Sequence, residues 1–480
     1  MSGCSMTTSS SDGKRTTQCT TEPFKVRMGR SYIVDELVEK YLVNLKAIDA
    51  SYITGLLIGQ FSPQKDFVVL AARTPPKEKE AEGSSSNGGR TVSSLDDIDV
   101  QWVSEHAKQV SHMLPGGLAV LGVFLVHPPE LSKEAQNSLR RLIFAVDKRL
   151  SKGRLWKLTE DDVPERVMLQ MCSKSRKAIC RTFDVQDPKS SAKPADWKYQ
   201  TGVSASWQVL QCSADLDVLF PMAETSSSNL DKCTKDGLQR WANQIETSIC
   251  LINGKRLPDH FDVTAGQKKN SKMAQSKLQA QILIPTKAGL KADQRSTASV
   301  QACKGFLTVK GVMHCRAYIH SNKPRACQAV EAIKRDLMNT VSCRTEMLFE
   351  DLFMKEGSSD RGGVSGQQPL PQRVFAPVPG TGFCVCDYMF PDESLVDVSE
   401  RFKEMLDCDI LEETIDTTQE AAPKQSNIVD YSEECTDNIT SEIPTEAPEN
   451  QRSLQTYVGV AVATGVALLA TAASLLYLSD

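Results

Sequence analysis

The chain has 480 residues, of which 40% are hydrophobic and 24% are charged, with 60 acidic and 56 basic side chains. This composition is typical of folded protein with room for two or three domains, and it excludes a wholly disordered chain or a polytopic channel. The net charge of −4 provides no global field to attract nucleic acid, and no Lys/Arg-rich motif replaces one, so no nucleic acid partner is predicted.

The amino-terminal region, residues 1–27, is rich in Ser and Thr and contains no apolar run. A signal peptide needs such a run, so we predict a disordered extension and synthesis in the cytosol. In a reducing compartment the 15 cysteines are expected to be small buried side chains and not a disulfide framework.

Residues 28–252 are predicted to form an α/β (α+β) domain. Its most apolar segment, Leu118–Val126, predicts a strand in the centre of a sheet. An amphipathic helix follows, with Leu139, Leu142 and Val146 on one face. The other predicted elements are strands at Ser31–Val34, Ile53–Gly59, Phe67–Ala72, Val167–Cys172 and Ile179–Val185, and helices at Glu36–Leu45, Trp102–Met113 and Leu238–Ile249.

No element is predicted over residues 187–199, which are rich in Pro, Ser and Lys. Trp197 within them is expected to be held by packing, and the alternative is that it is offered to a partner. Residues 253–298 are polar and are predicted to be a linker. A second, smaller α+β unit is then predicted over residues 299–407. Its predicted elements are strands at Leu307–Val312, Cys315–His320, Val374–Pro377 and Phe383–Tyr388, and helices at Pro324–Phe353 and Ser394–Leu406.

The carboxyl-terminal region changes character twice. Residues 408–455 contain 12 acidic against two basic side chains, which predicts an acidic disordered tether. Residues 457–478 are all apolar or small, and at ~1.5 Å per helical residue they span the roughly 30 Å hydrocarbon core of a bilayer. A buried core helix seldom runs so far without a polar face. We therefore predict a single transmembrane tail anchor, with the rest of the chain in the cytosol.

The predicted anchor begins at Tyr457 and ends at Leu478. Within it, Gly459 and Gly465 take part in small-xxx-small pairs that would let another helix approach closely. The simpler interpretation is that small residues fill a weakly hydrophobic anchor. Both interpretations place the lipid bilayer among the partners of this protein.

The sequence contains no dinucleotide-binding or P-loop motif, no HExxH and no GxSxG. Cys384-x-Cys386 and His314-Cys315 lack a partner pair at metal-site spacing, so we interpret them as strand residues. No cofactor and no metal are predicted.

One set of segments resembles the MPN domain of the JAMM metalloproteases: Gly55–Gly59, Gly122–Pro128 and then Ser132. The resemblance places the residues of that metal site, two histidines, an aspartate and a glutamate, at Leu125, His127, Ala135 and Tyr52, in that order. Because a catalytic zinc needs three protein ligands and a base, His127 alone cannot hold it. The resemblance implies an MPN-like fold without hydrolase activity, in which His127 is expected to cap its strand as a surface residue.

Several long blocks are similar to the odr-four family, the odorant-response-abnormal proteins. They are Met28–Val34, Gly55–Gln60, Met113–Leu118, Asp187–Tyr199 and Cys315–His320, together with the apolar carboxyl-terminal segment. This resemblance implies a non-enzymatic role at the endoplasmic reticulum membrane, in the trafficking of a subset of G-protein-coupled receptors. It also implies tethering of the UFM-specific cysteine protease, which itself has an MPN-like amino-terminal region.

Three functional hypotheses remain open at this stage. The first is a tail-anchored adaptor or chaperone whose cytosolic part binds a protein partner. The alternative is a chaperone that engages receptor helices through its own transmembrane segment. The third is a cysteine hydrolase, which is disfavoured because no Cys lies in a glycine-framed turn with an identifiable His partner.

Overall fold

The protein divides into two compact units, residues 1–424 and 425–480, and all residues described here lie in the first. The computed structural model describes residues 30–45, 52–63, 65–77, 94–159, 162–205, 207–222, 227–265, 277–284, 303, 305–320, 323–356 and 370–420. The predicted extension 1–27 and the predicted anchor 457–478 lie outside these residues. Across the described ranges, no helix combines the length and apolar character needed to cross a membrane.

Fourteen strands and six helices are present in the described part of the chain. The strands are β1 (Ser31–Asp35), β2 (Ile53–Gln60), β3 (Lys65–Arg73), β4 (Ala119–His127), β5 (Glu165–Cys172), β6 (Ala178–Asp184), β7 (Lys193–Pro194), β8 (Asp196–Gln200), β9 (Trp207–Met222), β10 (Ile249–Ile252), β11 (Lys277–Leu283), β12 (Gly305–His320), β13 (Gln372–Pro377) and β14 (Cys384–Met389). The helices are α1 (Glu36–Asn44), α2 (Val100–His112), α3 (Ala135–Ser151), α4 (Ser227–Thr247), α5 (Ala326–Glu356) and α6 (Leu395–Leu406).

The larger sheet has eight strands in the order β7-β6-β5-β4-β2-β3-β1-β8. The predicted central strand is confirmed as β4, which pairs antiparallel with β2 and parallel with β5. Gly122 allows the close approach of β5, because a Cβ atom there would lie 1.9 Å from the carbonyl oxygen of Val167. Helices α2 and α3 cover one face of this sheet, and α1 covers the other.

A smaller sheet has four strands in the order β10-β11-β9-β12 and packs against α4 and α5. Its two longest strands, β9 and β12, pair antiparallel from Trp207↔His320 to Met222↔Gly305. Strands β13 and β14 form a separate hairpin. Together with α6 this hairpin packs into the core of the eight-stranded sheet, through Val374, Val385 and Phe402.

The structure groups the chain differently from the predicted division into 28–252 and 299–407. Strand β9 comes from the first predicted segment and β12 from the second, yet they form one continuous ladder. The predicted linker 253–298 contains β11, which lies between β10 and β9. The pairing of strands that are distant in the chain decides which segments form one sheet. Such pairing leaves no periodic signal in the sequence.

Two further sequence predictions are corrected. Residues 187–199 do contain strands, because β8 pairs in parallel with β1 and places Trp197 opposite Tyr32. Trp197 is half-buried against the core, in agreement with the packing expected for it. The first part of the predicted disordered tether is folded as far as Glu420, which is buried, and the rest of the tether lies outside the described residues.

Two buried ion pairs connect these layers. Arg373 of β13 and Asp336 of α5 are both fully buried and form a two-bond pair with N···O distances of 2.8 and 2.9 Å. Arg344 of α5 pairs with Glu420 at 2.5 Å, and Glu420 also accepts hydrogen bonds from the backbone N–H groups of His314 and Arg373. The end of the described chain is therefore fastened to the smaller sheet and to the hairpin.

Candidate functional site

The four positions of the degenerate metal site lie at one end of the eight-stranded sheet. Strands β2 and β4 pair as Ile53↔Val126, so Tyr52 before β2 and His127 at the end of β4 occupy the same sheet end. Leu125 of β4 and Ala135, the first residue of α3, are fully buried in the core between the sheet and its helices, and Tyr52 packs against that core. The fold thus brings the positions together, but Leu125 and Ala135 offer only carbon atoms, which cannot bind zinc.

His127 is buried, with 1% of its surface exposed, so the expectation of an exposed strand cap is wrong. Its Nδ1 lies 2.6 Å from the carbonyl oxygen of Pro128, so Nδ1 carries the proton and donates it. Its Nε2 then accepts a hydrogen bond from the side-chain amide of Gln170, at 3.0 Å. The same amide donates to the backbone oxygen of Ser132 at 3.1 Å.

Because both ring nitrogens of His127 are engaged, the ring has no lone pair left for a metal. The partner that occupies Nε2 is Gln170 of β5, which the sequence motif did not identify because it lies outside the matched segments. In the described ranges no group of three or more His, Cys, Asp or Glu side chains is placed to hold a metal ion. The residues present therefore do not fit a zinc centre.

The same sheet end also bears on the hydrolase hypothesis. Cys172 of β5 is the register partner of His127, and hydrogen bonds from Ser175 lower the pKa of its thiol. His127 cannot act as its base, since its proton-accepting nitrogen is occupied by the amide of Gln170. The geometry provides a partly exposed thiol without an imidazole able to take its proton.

The two cysteine and histidine pairs singled out in the sequence lie in strands, as interpreted there. Cys384 and Cys386 belong to β14, and His314 and Cys315 belong to β12. Burial raises the pKa of Cys386 to about 11, even though Arg373 donates a hydrogen bond to its sulfur at 3.2 Å. The thiols of Cys315 and Cys386 are buried in the core, whereas Cys384 is partly exposed.

A cleft of about 870 Å³ lies at the opposite end of the eight-stranded sheet. One wall is formed by the end of β2 at Gln60 and the start of β4 at Ala119. The facing wall is formed by the first half of α5 and by His320 at the end of β12. The cleft therefore lies where the eight-stranded sheet meets the smaller sheet and its long helix.

A third wall is the connection between α3 and β5, centred on Trp156. The guanidinium carbons of Arg154 and Arg335 lie 5.9 and 5.6 Å from the centre of its ring. Arg335 is held in turn by two hydrogen bonds of 2.9 Å to the carboxylate of Asp162. The backbone oxygen of Leu155 accepts a hydrogen bond from Gln239 of α4 at 2.8 Å, so this wall is anchored to the smaller sheet.

The sequence prediction did not identify this cleft. Its lining comes from segments that are separated by as much as 279 positions of chain, from Gln60 to Asn339. None of these segments carries a recognisable motif. Hydrogen bonds of Gly116, just before β4, to the backbone of β12 and to Asp336 of α5 hold α5 against the sheet and close the cleft.

The molecule is thus a mixed α/β protein in which the positions predicted to be a metal site offer no ligand set for zinc and a cleft lies at the other sheet end. The chain belongs to the Odorant response abnormal 4-like family, whose profile matches residues 55–417. This finding confirms the family identified from the sequence.

The relatives cover nearly the whole chain. It is 45% identical to "Protein odr-4 homolog" of Homo sapiens and 46% identical to that of Gallus gallus, in each case over 94% of this chain and 100% of the relative. A homolog from Dictyostelium discoideum is 22% identical over 73% of this chain and 74% of its own length.

Among solved structures, the crystal structure of UfSP from C. elegans aligns with 80% of this chain and 58% of its own length, a little over half. The TM-score is 0.40 and the identity is 10%. A likeness at that score supports no conclusion about shared fold or activity.

Proposed function

We propose that this protein is a non-catalytic, membrane-anchored adaptor that assists the trafficking and localisation of a subset of G-protein-coupled receptors. It acts at the endoplasmic reticulum with most of the chain in the cytosol, and it binds protein partners such as the UFM-specific cysteine protease. Membership of the odorant response abnormal family and the apolar segment 457–478 support this proposal.

The observation that carries the non-catalytic part is the state of His127. Both of its nitrogens are hydrogen-bonded within the protein, and the neighbouring ligand positions are the apolar side chains of Leu125 and Ala135. Neither zinc activation of water nor activation of a thiol is possible there. A scaffold of this kind binds a partner without cleaving it.

The test uses cells that lack the endogenous protein and a tagged receptor whose surface fraction is measured by flow cytometry. The wild-type chain and His127→Gln are both expected to restore surface delivery, because the proposed role needs no catalysis. A chain lacking residues 457–478 is expected not to restore surface delivery, since it lacks the proposed membrane anchor. Loss of delivery with a well-folded His127→Gln chain would contradict the adaptor proposal.

The receptor-helix alternative is separated by exchanging residues 456–480 for an unrelated tail anchor of equal length. An adaptor acting through its folded part retains receptor delivery after this exchange, whereas a chaperone acting through its own transmembrane helix loses it. Crosslinking of the full chain in intact membranes, followed by immunoblotting for the UFM-specific protease, tests the proposed partner directly.

A further inference from the structure

The lining of the cleft contains more cationic side chains than carboxylates. Its carboxylates each form an ion pair with an arginine: Asp147 with Arg166, Asp162 and Glu331 with Arg335, and Asp336 with Arg373. Because Asp162 and Glu331 share Arg335, these pairs leave one negative charge to balance the further cations of the lining.

Four more cations face the same space. Lys65, Arg154, Lys323 and Arg325 line the cleft, and none of them forms an ion pair with a described residue. They come from three separate segments, namely the start of β3, the connection after α3 and the residues just before α5. The lining consequently carries a net positive charge that is spread over its walls.

Arg154 shows the physical effect of this imbalance. Burial and the nearby charges of Arg166 and Arg335 lower the pKa of its guanidinium, and the attraction of Asp147 and Asp162 offsets this only in part. Arg30, which has Asp66 at 2.6 Å, has a raised pKa despite its burial. A half-buried cation without a carboxylate partner gains free energy when an anion binds beside it.

The lining also contains apolar side chains. Phe61, Leu118, Trp156 and Ile319 lie among the cations. A volume of 870 Å³ lies within the range of roughly 300–1,000 Å³ that is usual for specific ligand sites. The ligand that matches this surface carries several separated negative charges together with apolar groups. A single phosphate has only one centre of charge. A peptide of acidic and apolar residues has several separated negative charges and also apolar side chains.

We propose that this cleft binds a short acidic peptide segment of a partner protein, with carboxylates against Lys65, Arg154, Lys323 and Arg325 and an apolar side chain against Trp156. The proposal deepens the adaptor function and rests on it, because an adaptor needs a surface that recognises a partner. It assigns that recognition to the sheet end opposite the degenerate metal position.

The binding test uses the full-length chain in non-ionic detergent and a fluorescein-labelled peptide of Glu-Glu-Leu repeats, followed by fluorescence anisotropy. A Gln-Gln-Leu peptide of equal length is the control ligand. The acidic peptide is expected to bind and to dissociate as salt is raised, because charge attraction is screened. Equal binding of both peptides, or of neither, would overturn the proposal.

The site is tested with the double variant Lys323→Glu and Arg325→Glu, which reverses two exposed or half-exposed cations before α5. We expect about tenfold weaker binding of the acidic peptide. The matched control reverses Lys133 and Lys152, which are exposed and lie outside the cleft, and it should bind like the wild type. Equal losses in both variants would mean that net charge and not the cleft binds the peptide.

A flotation assay of the same variants with phosphatidylserine vesicles tests whether the cleft binds an anionic membrane surface and not a peptide. Vesicle binding that depends on Lys323 and Arg325, without any peptide binding, would assign the cleft to a membrane surface and overturn the proposal. Because these assays use purified protein, their failure alongside normal receptor delivery in cells would refute the peptide site alone.

Discussion

Asp336 offers the sharpest test of how the layers of this protein are held together. Its Oδ1 accepts hydrogen bonds from Arg373 and from the backbone N–H of Gly116, and its Oδ2 accepts from Arg373 and from the backbone N–H of Arg316. All four distances lie between 2.8 and 2.9 Å, and the carboxylate is 2% exposed. One side chain therefore joins α5 to the hairpin, to β12 and to the segment before β4.

Replacing Asp336 with Ala leaves Arg373 charged, buried and without its carboxylate. Burial alone lowers the pKa of that guanidinium, and the attraction of Asp336 overcomes burial and raises the pKa well above its usual value. Removing one partner of such a buried pair costs about 3–5 kcal/mol of unfolding free energy. Asp336→Asn keeps one acceptor atom and should cost less than Asp336→Ala.

The assay is urea unfolding followed by tryptophan fluorescence. Asp217→Ala is the matched control, since it removes an exposed ion pair with Lys310 and should cost at most about 1 kcal/mol. The double variant Asp336→Leu, Arg373→Met removes both charges and should be more stable than Asp336→Ala. If Asp336→Ala lowers the free energy of unfolding no more than the surface control does, the buried pair does not stabilise the packing of these layers.

Three further results are expected. Gly122→Ala should cost roughly 3 kcal/mol or prevent folding, because its Cβ meets the carbonyl of β5. Gly311→Ala should be tolerated in the same urea assay, because its Cβ would meet only the flexible end of the Met313 side chain, at 3.4 Å. Burial lowers the pKa of His320 to about 4. The unfolded chain therefore binds a proton at this residue near pH 6.5, whereas the folded chain binds it only near pH 4. The free energy of unfolding should fall between pH 6.5 and 4, and His320→Phe should reduce this loss by roughly 1–2 kcal/mol. His127→Ala should cost about 1–3 kcal/mol by removing one of the acceptors of the buried Gln170 amide, which keeps only Ser132. Metal analysis of wild type and variant should find no stoichiometric zinc, and bound zinc that depends on this residue would contradict the site geometry.

The residue types at the predicted metal positions could be read from the sequence, but their surroundings could not. The spacing around His127 was sufficient to show that two ligand positions are apolar, because this depends only on residue identity. Whether His127 is exposed depends on Gln170 of the neighbouring strand β5, whose amide donates to the His127 ring and to the backbone oxygen of Ser132. The hydrogen-bond partners of a buried ring are a property of tertiary packing, so the expected exposure was wrong.

The sequence alone determined the elements whose pattern repeats over a few residues. The apolar run that became β4 and the amphipathic face of α3 were both predicted, since strand and helix periods act between near neighbours. Only the tertiary structure decided that β9 pairs with β12, that Glu420 is buried with Arg344, and that distant segments enclose a cleft. These contacts join residues far apart in the chain, where no local period specifies which partner is chosen and the packing of the whole fold selects it.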